Sequence, residues 1–500
     1  MELHKRKFFS LLPVIASILF FFLKISIKTS QTKCSLLPHN HYWISSKRIV
    51  TPDGVISGAV EIKDGKVFSI VKEEDWHGYI RQGQIVDFGE AVVMPGLIDV
   101  HAHLDDPGRD EWEGFPSGTR AAAAGGITTL IDMPLNSEPS TVSEETLNLK
   151  IKAAKNRIYV DVGFWGGLVP DNALNATALE RLLRAGALGL KSFMCPSGIN
   201  DFPMTNITHI KEGLSILAKF QRPLLVHAEV QEDDLVKDNK NDAQLYSTYL
   251  ETRPPSMEEG AIRNLLTISE NTRVGGPSEG AHLHIVHLSD ARSSLDLLKK
   301  AKSRGDSISI ETCPHYLAFS ADEIPDGDTR FKCAPPIRDA ENKEKLWDAL
   351  RNGDIDMLSS DHSPTLPELK LLQVGDFLKA WGGISSLQYV LPATWTSGRS
   401  YGVTLEQIAS WWSEKPAKLA SQHLKGSIAV GNYADIVAWE PESEFHLDEN
   451  HPSHIKHPSI SAYMGRKLSG KVLATFVRGN LVYKEGKHAP GACGNRLLAK

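Results

Sequence analysis

The sequence has few cysteines: five in 500 residues, at Cys34, Cys195, Cys313, Cys333 and Cys493. They form no CxxC pair and no compact ladder, so a disulfide framework is not expected. A chain of this length can bury a core large enough to stand without cross-links. Also missing is any dense stripe of lysine and arginine, and the net charge is −6. Nucleic acid therefore has no electrostatic footing here. No short internal repeat or low-complexity tract is visible. With 41% hydrophobic and 23% charged residues, the composition is that of a globular protein.

What is present begins at the N-terminus. His4, Lys5, Arg6 and Lys7 precede an apolar run from Phe8 to Leu23, and Lys24 follows. A basic start before such a run has the pattern of a secretory signal or signal anchor over residues 1–30. It falls short of the roughly 20 residues of a comfortable membrane span. A buried core helix is the plainer alternative. The pattern points to the secretory pathway, and on that route Asn175-Ala-Thr177 and Asn206-Ile-Thr208 become candidate glycosylation sites.

Residues 43–95 read as short strands. Ile56–Ile62 and Lys66–Val71 flank the turn signal Lys63-Asp-Gly65. Residues 425–490 show the same habit, with Asp435–Trp439, then Val472–Val477 followed by the turn Arg478-Gly-Asn480. Two β-rich ends around a long middle predict one small sandwich assembled from both termini. Between them, residues 96–420 alternate apolar strands with amphipathic helices. The strands are Gly96–Val100, Thr128–Asp132, Tyr159–Gly163, Gly189–Phe193, Leu224–His227, Leu283–His287, Ile308–Ile310 and Met357–Ser360. Eight βα units predict a (β/α)8 TIM barrel, with a doubly wound open sheet as the alternative.

Ionisable residues fall where these strands end, which is where barrels place their chemistry. The first strand runs into His101-Ala-His103, and residues i and i+2 of a strand point the same way. His227 and His287 each end an apolar strand, and Asp361 follows Leu-Ser-Ser. Four histidines and a carboxylate make a plausible site for zinc-type cations. Lys191 interrupts the apolar strand Gly189–Phe193, where an ammonium without a partner is costly. It either snorkels to the rim or is a neutral amine that captures carbon dioxide as a carbamate. His282 and His284 stand close to His287, and residue 284 is expected on the other strand face. His315 and His362 read as supporting residues. Cys195 reads as a buried thiol rather than a nucleophile.

The run Pro95-Gly-Leu-Ile-Asp-Val-His-Ala-His103, followed by Lys191, His227, His287 and Asp361, resembles the amidohydrolase superfamily, in its branch with a carbamylated lysine. That branch includes dihydroorotases, hydantoinases, dihydropyrimidinases and allantoinases. Finer blocks are similar to allantoinases: His103-Leu-Asp-Asp-Pro-Gly, Met133-Pro-Leu-Asn-Ser137, Cys195-Pro-Ser-Gly-Ile-Asn-Asp-Phe-Pro203, Thr312-Cys-Pro-His-Tyr316, Ala334-Pro-Pro-Ile-Arg-Asp339 and Ser360-Asp-His-Ser-Pro364. The leader suggests a plant-like form, retained in the endoplasmic reticulum. Asp105 stands where dihydroorotases carry a substrate-binding arginine, which argues against that activity.

The resemblance implies two divalent cations, most simply Zn2+. One would be held by His101, His103 and Asp361 and the other by His227 and His287, with carboxylated Lys191 and a hydroxide bridging them. It implies Asp361 as the catalytic proton acceptor and Asn136, Ala334 and Gly383 as substrate contacts. Ala334 stands where many relatives have serine, which matters little if the contact is through backbone. The implied reaction is hydrolytic ring-opening of (S)-allantoin to allantoate in purine catabolism, by a homo-oligomer, tetrameric by family analogy. The alternatives are a hydantoinase or dihydropyrimidinase, a catalytically inactive scaffold relative, and a membrane-tethered interaction protein.

Overall fold

The protein is represented by a computed structural model that describes residues 33–78, 84–231 and 242–500. The basic and apolar leader lies outside the described residues. No helix among them is long and apolar enough to cross a membrane.

The first five strands are β1 (His41–Thr51), β2 (Gly54–Lys63), β3 (Lys66–Lys72), β4 (Gln84–Asp87) and β5 (Val92–Pro95). β2 and β3 form the expected hairpin. Asp64 and Gly65 turn it with φ of 51° and 79°, and a turn of this hand favours Asp-Gly. A side chain at Gly65 would also strike the Arg478 carbonyl, so this tip packs against the other end of the chain.

The barrel strands are β6 (Leu97–Ala102), β7 (Ile127–Asp132), β8 (Asp161–Phe164), β9 (Gly166–Gly167), β10 (Leu190–Phe193), β11 (Pro223–His227), β12 (His282–Ile285), β13 (Ile308–Thr312) and β14 (Met357–Leu358). All their pairings are parallel. β8 and β9 are two halves of one barrel strand, the first paired with β7 and the second with β10. A parallel bridge from Ala102 to His362 joins the last strand to the first. That closure makes a ring of eight and excludes the open sheet.

Alternation along the strands sorts the side chains. Leu130, Leu224, Val226, Leu283, Ile285 and Ile310 join the large core shared with the surrounding helices. Ile98, Val100, Ile131, Leu225 and Met357 belong to a separate cluster inside the barrel. The inward positions of β10, β12 and β13 depart from this pattern: they hold Lys191, His284, Ser309 and Glu311, all buried.

The chain ends in β15 (Ile436–His446), β16 (Lys467–Val477), β17 (Asn480–Lys484), β18 (Lys487–His488) and β19 (Arg496–Leu497). β15 pairs with β5, so both ends share one hydrogen-bonded sheet ordered β18-β17-β16-β15-β5-β1-β2-β3. Three strand spacings, about 14 Å, would separate β1 from β16 in a flat sheet. The Tyr42 and Phe476 rings are nevertheless 6.2 Å apart, because the sheet folds over on a shared core. β19 does not join this sheet; it pairs in parallel with β8 of the barrel.

One expectation is corrected here. Cys34 and Cys493 form a disulfide, with Cα atoms 5.5 Å apart across a sequence separation of 459. No local spacing could announce it, because only the folding together of the two ends brings these cysteines into reach. Cys195, Cys313 and Cys333 are free and buried. Asn175 and Asn206, the candidate glycosylation sites, are exposed, and each caps a helix through its side-chain oxygen. Cys493→Ser is expected to lower stability by about 2–5 kcal/mol, read from denaturant midpoints. Peptide mapping without reductant should recover Cys34 joined to Cys493.

Candidate metal centre

His101 lies in β6 and His103 just beyond it; Lys191 lies in β10 and His227 ends β11. His287 and Asp361 follow β12 and β14 by a few residues. All six are buried. His287 and Asp361 have φ of 37° and 40°. Non-glycine residues held in this region are strained, and such strain gathers at functional sites. The turn also breaks strand parity, so the face on which a residue enters β12 does not decide where His287 points.

Asp361 Oδ1 lies 3.2 Å from His101 Nε2 and 3.6 Å from His103 Nε2. The ligand-capable atoms of these three residues fall within 4.8 Å of one another. The His101 ring centroid is 5.3 Å from that of His287, which is 4.6 Å from that of His227. The rings thus run in an unbroken row from the His101/His103/Asp361 group to His227. Burial lowers His287 well below the usual imidazole value, and brings His103 to about 4 against the pull of Asp361. Both are neutral near pH 7, as metal ligands must be.

Partners behind the rings fix which nitrogen faces the cleft. His101 Nδ1 lies 2.6 Å from Glu311 Oε1, so the ring donates to that carboxylate and leaves Nε2 free. His227 Nε2 lies 2.6 Å from Glu229 Oε2, so Nδ1 is its free atom. Glu229 is held in turn by Arg253. Asn136 stands 3.2 Å behind His103 Nδ1. If His103 coordinates through Nε2, its Nδ1 carries a hydrogen and Asn136 must offer its oxygen, an assignment of amide orientation made from the network.

Lys191 is completely buried, and its Nζ has no hydrogen-bond partner. Burial brings the amine down to about 8 although Glu311 and Asp361 pull it upward. His287 Nδ1 is also unpartnered. Orphaned nitrogens beside four imidazoles and a carboxylate are electron-pair donors awaiting acceptors. Bound cations and a carbamate on the lysine would satisfy this set, so the residues fit the implied group. Cys195, His227 and Glu229 form a second cluster of candidate ligands. Burial raises the Cys195 thiol to about 12, and Glu229 is taken by His227 and Arg253, which makes this cluster a wall rather than an ion site.

The six residues, apart from Lys191, open on a small cleft of about 90 Å³, which Asn136, Ala334 and Gly383 also line. Gly383 has φ of 137°, and a side chain there would meet the Ser363 backbone. Its N–H donates to the Lys332 carbonyl at 2.8 Å and its carbonyl accepts from Lys370. What it can still offer a ligand is the second lone pair of that carbonyl. His362 accepts the Ser386 and Leu387 amides at Nδ1 and meets Glu113 at Nε2. His315 is buried with neither ring nitrogen partnered. Asp105 is buried, and burial and Asp132 push its carboxyl well above the usual range.

Sequence reasoning did not single out Glu311, Glu229, Arg253, Ser197 or Trp381. Glu311 carried a readable signal, an acid within the apolar run Ile308-Ser-Ile-Glu311 much like Lys191 in its own strand. Arg253 carried none.

Residues 37–91 match the model of the allantoinase composite domain, and residues 92–482 that of the amidohydrolase family. The chain is 72% identical over 495 residues to the allantoinase of Arabidopsis thaliana, covering 98% of each sequence. It is 40% identical to that of Streptomyces avermitilis, covering 89% of this chain and 96% of that one. Among solved structures it resembles the L-hydantoinase (dihydropyrimidinase) of Arthrobacter aurescens. That likeness has a TM-score of 0.82 at 29% identity and covers 92% of this chain and all of that one.

Arg253→Met would strand the buried Glu229 carboxylate and is expected to cost about 3 kcal/mol, read from unfolding midpoints. Adding Glu229→Gln should recover most of that loss. A double variant as unstable as the single one would mean that the ion pair is not the cause.

Proposed function

The chain belongs to the amidohydrolase family and, within it, to the allantoinases, and we propose from that premise how its cleft works. The protein is a cyclic amide hydrolase that opens the hydantoin ring of allantoin to give allantoate, a step of purine catabolism. The observation that carries the site assignment is Lys191, a buried amine without a partner among four imidazoles and Asp361.

In our reading His101, His103 and Asp361 would hold one divalent cation and His227 and His287 a second, with carboxylated Lys191 as a further ligand to the pair. Zinc suits this donor set of nitrogen and oxygen. When bound, such a pair lowers the pKa of water enough to supply a nucleophile at neutral pH and polarises the amide carbonyl.

Asp361 moves the proton. Its Oδ1 stands 3.2 Å from His101 Nε2 and 3.6 Å from His103 Nε2, at the edge of the cleft where water would be held. It can take the proton of the attacking water and return it to the ring nitrogen as the amide C–N bond breaks, base first and acid second. Leu135, Phe193 and Trp381 wall the cleft with apolar surface. Asn136, Ser197 and Arg253 add polar groups suited to the ureido arm of the substrate.

We further propose that the protein matures in the secretory pathway and resides in the endoplasmic reticulum. The basic and apolar leader supports this, and the Cys34–Cys493 disulfide suits an oxidising compartment. We also propose a homo-oligomer. Leu369, Leu372, Val374 and Leu378 stand exposed in one loop that a second copy would cover.

Offered allantoin, hydantoin, dihydrouracil and dihydroorotate in parallel, the enzyme is expected to turn over allantoin with the highest kcat/KM. Faster turnover of any other member would replace this substrate assignment. Asp361→Asn is expected to lower kcat by at least about 10²-fold, measured by allantoate formation.

A further inference from the structure

The inward faces of β12 and β13 carry a line of polar side chains where a barrel interior is usually apolar. Ser307 Oγ lies 2.9 Å from His282 Nδ1, and His282 Nε2 lies 2.6 Å from Ser309 Oγ. Ser309 Oγ is 2.7 Å from His284 Nδ1, and His284 Nε2 is 3.0 Å from Glu311 Oε2. Glu311 Oε1 then meets His101 Nδ1 at 2.6 Å and the His287 backbone N–H at 3.3 Å. The residues alternate i, i+2 on adjacent parallel strands, with His284 and Ser309 in register. From residue 307 to residue 311 the line climbs about 13 Å. It begins at the half-buried Ser307 and His282 and ends at the candidate metal ligands.

An ionised carboxylate only accepts hydrogen bonds, so Glu311 sets the direction of the whole line. His101 must present Nδ1–H to Oε1, and its lone pair is left on Nε2, facing Asp361. His284 must present Nε2–H to Oε2, which makes its Nδ1 an acceptor. Ser309 has one hydrogen, which it gives to His284, so it accepts from His282 Nε2–H. Ser307 then donates to His282 Nδ1. With neutral rings, the hydrogens from Ser307 to His284 all point toward Glu311 and the His101 Nδ1–H points back to it from the other side, and no other arrangement satisfies all five bonds.

We propose that His284 is a positioning residue: with Ser309 and His282 it forms a one-way hydrogen-bond ladder that locks Glu311, and through it the His101 tautomer, so that the cation at His101, His103 and Asp361 is retained. A ring free to change tautomer would offer that cation a protonated nitrogen part of the time. The ladder rests on the two-cation reading and deepens it. It also accounts for two histidines that the hydrolytic chemistry leaves unused.

The experiment measures cation content and release rate on the full chain purified with its cations, using a chromophoric chelator and elemental analysis. The wild type should carry two equivalents and release both slowly. In His284→Leu one of the two should leave about 10–100-fold faster. KM for allantoin should be unchanged, with kcat falling in step with occupancy and recovering in excess metal. His284→Gln keeps an amide donor for Glu311 and an acceptor for Ser309, and should stay within a few-fold of wild type. Ser309→Ala leaves His284 in place without its directing hydroxyl and should release at an intermediate rate; it carries the test if the leucine variant does not melt cooperatively.

Wild-type release in both disruptive variants, or equal loss in the leucine and glutamine variants, overturns the ladder while leaving the two-cation reading intact. A wild type that binds no cation overturns both.

Discussion

A charged ammonium buried in a barrel without a counter-ion or hydrogen bond is one of the costliest things a protein core can hold. At Lys191 the surrounding structure is built on that constraint. The amine sits at an inward position of β10, level with the apolar Leu225 on β11, and no protein atom hydrogen-bonds it, although the Phe193 ring lies 5.0 Å away. The groups that feel its charge include the imidazoles of His103, His227 and His287, each lowered by burial, and the carboxylates of Glu311 and Asp361. Such an arrangement is poorly stable as a bare set of side chains. It becomes coherent when the amine is a carbamate and the donors share cations. The protein accepts strained backbone at His287 and Asp361 to bring those donors together.

The scaffolding behind the donors follows the same economy of partners. Glu311 reaches a ring of one candidate ligand and the backbone of another, while Glu229 fixes His227 and is itself fixed by Arg253. Two buried acids therefore set the orientation of two of the four imidazoles and hold the backbone of a third ligand candidate. Around this sits a barrel whose outward strand residues pack on helices. The composite sheet is tied in through β5 against β15 and through the tail strand beside β8. The disulfide joins the start of the described chain to that tail.

Much of this was legible before any coordinates. The eight strands showed themselves as apolar runs between helical segments, and the ligand candidates stood at their ends because a parallel barrel directs those ends to one face. The hairpin at Asp64-Gly65 was readable because a turn of that hand tolerates few residues. Whatever depends on meetings between distant segments was not legible. The Cys34–Cys493 bond needs the two termini to share a sheet. Alternation put His284 on the strand face opposite His287; the left-handed turn at His287 breaks that parity, so His284 points inward, and its partner Glu311 lies on the neighbouring strand. Arg253 reaches the cleft from the turn after a helix that nothing in the local sequence marks as catalytic. The resemblance implied Gly383 as a substrate contact, yet only the structure shows that Lys332 and Lys370 already engage both of its peptide groups.

The central claim is that the orphaned amine of Lys191 is completed by a carboxyl group and two cations. A crystal structure of the protein purified without chelator, with anomalous data at the absorption edge of the bound metal, tests it most directly. The account predicts two anomalous peaks, one within reach of His101, His103 and Asp361 and one within reach of His227 and His287, with continuous density from Lys191 Nζ toward both. A bare lysine side chain in well-defined density with no anomalous peak beside it would contradict the account.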